Sequence, residues 1–129
     1  MRKQSQHTVI IALGTNYLQE SNMAKGRKEL AGLFDMVVFS RDMWTEAIGI
    51  VSPPYLNCLA YGKTKLSVRR LQSSLKSLER ILGDSREERQ EGRIHIDLDL
   101  LQYDDKRHHV SDWQREYIQT LYHEIETSL

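Results

Sequence analysis

The chain has 129 residues, no formal net charge, and 40% apolar against 28% charged residues. A domain of this length buries about two thirds of its unfolded surface, so its core needs no staple, and the composition excludes intrinsic disorder. The zero balance excludes recognition of nucleic acid through a general basic field.

A single cysteine, Cys58, excludes an internal disulfide. Its neighbours Leu56 and Ala60 suggest a buried strand position, where a free thiol packs as a small hydrophobe. These features fit a reducing cytoplasm. The apolar run 9–13 is too short for a signal segment, and no stretch approaches the length of a bilayer span. The expectation is one domain over residues 1–129, cytoplasmic, monomeric, and without a nucleic-acid or membrane partner.

Residues 7–13 are β-rich and stop at the turn signal Gly14-Thr15-Asn16. Ser21 is placed to cap a helix to about Phe34, with Met23, Leu30, Ala31 and Phe34 inward; Gly26 weakens it. Residues 36–44 read as a second strand and 48–54 as a loop. In 55–63, Leu56, Cys58 and Ala60 share one face, and Tyr55, Asn57, Leu59 and Tyr61 the other. The clearest helix is 67–82: Val68, Leu71, Leu75, Leu78 and Leu82 recur every three or four residues, and Gly83 follows as a cap. A charged loop over 84–92, a strand over 93–103 and an amphipathic helix over 113–126 complete the chain. This order predicts an α+β fold, a ferredoxin-like β-α-β-β-α-β sandwich with an extra C-terminal helix. One face of the sheet would carry the helices and the other would be open for ligands.

The most informative segment is Ile94-His95-Ile96-Asp97-Leu98-Asp99-Leu100. Its alternation puts Ile94, Ile96, Leu98 and Leu100 on one face and His95, Asp97 and Asp99 on the other. Strand geometry separates the two aspartates by roughly 6.5–7 Å. Two ionised carboxylates converging there call for a cation or a basic partner. Hard oxygen ligands select Mg²⁺ or Mn²⁺, held together with substrate phosphates, and paired metals are a known arrangement for phosphate chemistry. The plainer alternative is the wet face of an edge strand, against which stands the poor strand propensity of aspartate. His95 is either a third ligand or an outer-sphere partner, or an ordinary surface histidine.

Other positions are less specific. Gly14-Thr15-Asn16 is a common turn that can present amides and the Asn16 side chain to a ligand. No P-loop sequence is present. Tyr55 and Asn57 suit a flat heterocycle, one by stacking and the other by matching its edge; ordinary packing explains them equally. Glu79 alone reads as a solvated helix residue. Arg86, Arg89 and Arg93, and beyond the strand Lys106, Arg107 and Arg115, flank the acidic strand and can clamp a triphosphate, or are simply solvated.

Together, Ala12-Leu13-Gly14-Thr15-Asn16, Tyr55-Leu56-Asn57-Cys58, Leu78-Glu79 with Leu82-Gly83, and Ile96-Asp97-Leu98-Asp99-Leu100-Leu101-Gln102-Tyr103 resemble the 6-hydroxymethyl-7,8-dihydropterin pyrophosphokinase family over roughly residues 8–125, in a short, divergent form. The resemblance implies Mg-dependent transfer of pyrophosphate from ATP to a reduced pterin, with release of AMP, in folate biosynthesis. It implies two Mg²⁺ ions on Asp97 and Asp99, ATP and the pterin as partners, and catalytic roles for Asp97, Asp99, Arg86 and Arg93. It assigns the pterin to Tyr55, Asn57, Thr45, Tyr117 and Asn16, and the nucleotide to Glu79, Arg86, Arg107 and Arg115. Segments 48–54 and 84–92 would be lids.

The chain departs from the family pattern at several points. Asp84 stands where an arginine usually follows the glycine, and a Pro-Arg pair before the acidic strand is replaced by Arg93-Ile94. Glu46 and Ala47 replace prolines, and Ser111 and Asp112 lie where a Pro-His pair is missing. Two alternatives stay open: a catalytically impaired pterin- or nucleotide-binding relative, and a ferredoxin-like interaction module. The enzymatic reading requires both carboxylates to project from one surface, unplugged by an internal lysine or arginine.

Overall fold

The computed structural model describes residues 6–47, 49 and 51–129. Its elements are β1 (His7–Thr15), α1 (Gln19–Ala31), β2 (Met36–Phe39), β3 (Met43–Thr45), β4 (Tyr55–Thr64), α2 (Val68–Ile81), α3 (Arg86–Gln90), β5 (Asp97–Tyr103), β6 (Lys106–Arg107), a 3₁₀ turn at Val110–Gln114 and α4 (Glu116–Ser128). The strands form one antiparallel sheet in the order β2-β4-β1-β5-β6, with β3 continuing the pairing of β2 along β4. With helices packed on this sheet, the architecture is the α+β, ferredoxin-like fold expected from the element order.

Alternation along the central strands builds two cores. Val9, Ile11 and Leu13 of β1, Leu56, Cys58 and Ala60 of β4, and Leu98 and Leu100 of β5 meet Met23 and Leu30 of α1 and Leu71, Leu75 and Leu78 of α2. On the opposite face Ile10, Leu59 and Leu101 meet Trp113 and the α4 residues Ile118, Leu121 and Ile125. The second face is therefore not simply open, as expected: α4 covers part of it and leaves a cleft beside itself. Leu101 reaches that core through a bulge. Ile10 pairs with Gln102 and Ile11 with Leu100, so Leu101 has no partner on β1. Its carbonyl accepts instead from Trp113 Nε1 (3.0 Å) and the His108 amide (2.8 Å).

Several element boundaries differ from the sequence reading. The helix expected from Ser21 begins earlier, at Gln19, and ends at Ala31; Met23 and Leu30 are buried, whereas Ala31 and Phe34 are only partly covered. Gly26 stays in it because a Cβ there would stand 3.0 Å from Ile96 Cδ1, so glycine permits the close approach of α1. The strand expected over 36–44 is broken into two, because the Ser40 amide bonds Leu59 O and its hydroxyl accepts from the Leu59 amide. In the expected 48–54 loop, residues 48 and 50 lie outside the described residues, and 51–54 are neither helix nor strand. Segment 84–92 is not all loop but contains α3, capped by Ser85.

The strand expected from Arg93 starts at Asp97. The Asn16 side chain replaces the ladder before it, accepting from the Ile94 amide (2.7 Å) and donating to Gly92 O (2.9 Å). Ile94 O accepts from the Asn16 amide and the Thr15 hydroxyl. The C-terminal helix starts after the 3₁₀ turn, at Glu116. Among the described residues no helix is long and apolar enough to cross a membrane.

Candidate active site

β1 lies between β4 and β5, and its Gly14 is paired with Asn57 on one side and Asp97 on the other. These strands floor a cleft of about 350 Å³, walled by β3 and the start of α4. Thr45, Tyr55, Asn57, Asp97, Asp99, Arg115 and Tyr117 all line it. Residues from four segments far apart in sequence thus share one space, because the sheet order brings their face-sharing positions to one end of β1.

One end of the cleft is aromatic and amidic. Asn57 is 4% exposed, and its Nδ2 donates to Thr45 Oγ1 (2.8 Å) and Met43 O (3.1 Å). With the amide nitrogen committed to β3, Oδ1 is the atom available to accept from a ligand. A Cβ on Gly14 would lie 3.4 Å from that oxygen and 3.8 Å from Tyr55 Cδ2, so the glycine keeps the floor between them clear. Tyr55 and Tyr117 supply two rings. Burial pushes both phenols above their usual pKa; at Tyr55 the charge of Asp97 adds to this, and at Tyr117 the neighbouring Arg115 opposes it.

The other end is acidic. Asp97 and Asp99 face the cleft while the intervening Leu98 enters the core. Burial first, and then the charge of Asp97, raises the Asp99 pKa. Among the described residues no protein donor is bonded to the Asp99 carboxylate, and no three His, Cys, Asp or Glu side chains gather to hold a metal alone. Two adjacent carboxylates in a cleft, one of them destabilised by burial and like charge, are a donor set that fits a hard divalent cation.

Asp97 does carry a partner. Arg89 Nη2 donates to its Oδ1 over 2.6 Å. The arginine comes from α3 and is 37% exposed, so it meets the acidic pair from the surface side. Arg89 also bonds Asp84, the residue standing where the family pattern has an arginine. Partial burial opposes the Arg89 cation, but the bonds to Asp97 and Asp84 outweigh it and hold its pKa above the usual arginine value.

The remaining candidates lie elsewhere. Asn16, 3% exposed, has both side-chain polar atoms engaged by the backbone of residues 92 and 94. Glu79 is not a solvated helix residue: it is 2% exposed and accepts from the Leu98 amide at 2.8 Å, beneath the acidic pair. Burial pushes its carboxyl pKa up. Arg86 is exposed on α3. Arg93 forms a two-pronged bond with Glu88, and His95, read as a potential metal ligand, bonds the same carboxylate at 2.7 Å. This corrects the alternation expected at His95, which precedes the strand. The Arg107 guanidinium stacks 4.0 Å from the Trp113 ring centroid.

Sequence reasoning did not single out Asp112, which lines the cleft and pairs with Arg115 at 3.4 Å. It also gave Arg89 no more weight than its neighbours. Nothing in the local pattern marks either residue: Asp112 sits in a short 3₁₀ turn, and Arg89 meets Asp97 from the five-residue α3.

Comparison with curated proteins yields no match. The family model described as 7,8-dihydro-6-hydroxymethylpterin-pyrophosphokinase matches residues 10–127, which takes in every residue that lines the cleft. The chain therefore belongs to the 7,8-dihydro-6-hydroxymethylpterin-pyrophosphokinase family, whose members serve folate biosynthesis.

Proposed function

We propose that this protein transfers the terminal pyrophosphoryl group of ATP to the hydroxymethyl oxygen of 6-hydroxymethyl-7,8-dihydropterin, releasing AMP, with Mg²⁺ held on Asp97 and Asp99. The observation that carries the reading is the shared cleft, in which the Tyr55–Asn57–Tyr117 end and the acidic pair lie on either side of Gly14. Two substrates laid along this floor would be held with their reacting groups adjacent, which removes much of the entropic barrier to their encounter.

Each side chain has a stated task. Tyr55 and Tyr117 stack the pterin, and Asn57 Oδ1, steadied by Thr45, accepts from its edge. Asp97 and Asp99 would hold the two Mg²⁺ ions. Those ions, when bound, neutralise charge on the phosphate oxygens and so lower the barrier to in-line attack at the β-phosphorus. Arg115, at the mouth, adds positive charge near the phosphates. The cytoplasm is the proposed compartment and a monomer the proposed state.

A second reading, a relative that binds but turns over slowly, is favoured by one feature. Asp84 holds a negative charge where the family pattern carries a positive one, and Asp97 is met by Arg89. One assay separates the two. Protein, Mg-ATP and 6-hydroxymethyl-7,8-dihydropterin are incubated and AMP is measured. AMP formation that depends on both substrates supports the enzyme; tight pterin binding without AMP leaves the binding relative.

A further inference from the structure

The acidic pair meets a cation of the protein's own. Arg89 is the residue through which α3 touches Asp97, and it does so while its Nε bonds Asp84 in the turn between α2 and α3. The five-residue α3 lies between Gly83 and Gly92, both at positive φ (116° and 78°). Its second anchor does not involve the acidic pair: Glu88 holds Arg93 and His95. The Arg89 side chain can therefore swing without unseating the helix.

A divalent cation at the pair would share the Asp97 carboxylate with Arg89, and two positive groups on one carboxylate repel. A displaced guanidinium, still tethered by Asp84, would remain within reach of an anion accompanying the metal. Its planar fork of donors suits phosphate oxygens.

We propose that Arg89 is a phosphate-binding residue of this site, parked on Asp97 in the ligand-free protein and exchanged onto the nucleotide when the divalent cation takes its place. This inference rests on the functional reading above. It makes Arg89 a competitor of the bare metal and an ally of the metal–nucleotide complex, so removing it changes the two affinities in opposite directions.

The test measures Mn²⁺ alone by paramagnetic resonance, and a non-hydrolysable ATP analogue with Mg²⁺ by calorimetry. Arg89→Gln should bind Mn²⁺ about two- to fivefold more tightly than wild type, the range set by a partly exposed ion pair. It should bind the nucleotide about tenfold more weakly, as expected for loss of a charge-assisted bond. Arg86→Gln removes the same charge from the same short helix and should move Mn²⁺ affinity less, which separates the contact from the general field. Arg89→Met repeats the measurement should Arg89→Gln fold poorly. The inference is overturned if Arg89→Gln binds Mn²⁺ no more tightly than Arg86→Gln, or if nucleotide affinity is unchanged. A wild-type protein that binds neither Mn²⁺ nor the nucleotide sinks the functional reading itself, a result distinct from equal affinities across variants.

Discussion

The Leu98 amide donates to Glu79 Oε2 across 2.8 Å, which ties the last turns of α2 to the residue between the two cleft aspartates. A helix carboxylate thus fixes the rotation of β5 and the direction in which Asp97 and Asp99 project. Glu79→Ala leaves that buried amide without a partner and should lower stability by about 1–3 kcal/mol. Glu79→Gln keeps the acceptor and removes a charge that burial disfavours, so at neutral pH it should be at least as stable as wild type. Urea unfolding of the three proteins checks both statements, and an unimpaired alanine variant would show that the bond orders nothing.

Asp97→Asn and Asp99→Asn should each abolish the rise in unfolding midpoint that Mn²⁺ gives the wild type. That rise corresponds to about 2.7 kcal/mol at a metal concentration of about one hundred times Kd. With metal chelated, Asp99→Asn should unfold no earlier than wild type, because it removes a carboxylate strained by burial and by Asp97. Thermal melts with and without Mn²⁺ give the answer. Undiminished metal stabilisation in both variants would remove the acidic pair from the site.

The Glu88 carboxylate is held down to about 2, from 4.5, by its bonds to Arg93 and His95. A depressed carboxyl pKa stabilises the folded chain only while the group is ionised. The contribution is therefore full above about pH 4.5 and disappears as pH falls toward about 2. Glu88→Gln should flatten this part of the acid limb. Denaturation midpoints collected between about pH 6 and pH 2.5 would expose an unchanged slope, and with it an inert Glu88.

Gly83→Ala should cost about 1–3 kcal/mol, since its φ lies where a side chain is strained. Its Cβ would also stand 2.5 Å from His95 Nδ1. The variant should loosen α3 along with His95, visible as faster amide exchange over residues 84–95. Protection equal to wild type would show that the turn tolerates a side chain.

Much of this molecule was legible where a short period meets a buried face. Alternation in β4 and β5 assigned Leu56, Cys58, Ala60, Leu98 and Leu100 to one core, and the three-four spacing of α2 assigned Leu71, Leu75 and Leu78 to the same one. The features that escaped depend on bonds between distant residues. Ser40 breaks a strand through Leu59, and Asn16 delays another through Ile94. Amphipathicity announced α4, but not that it would dock on the cleft side of the sheet. Arg89 was indistinguishable from its neighbours because its position follows from two glycine turns and a five-residue helix.

Gly14 pairs with Asn57 and Asp97 at once, so the width of the cleft is set by two inter-strand steps, roughly 10 Å in all. That distance behaves as a ruler built into the backbone, indifferent to side-chain motion. Loops around the rim can lengthen or shorten without altering it, but a slip of β1 by one residue would miscalibrate both ends together. A two-headed inhibitor joining a flat ring to an anionic group would therefore need a spacer cut to the sheet, and the same cut should serve any chain that keeps this strand order.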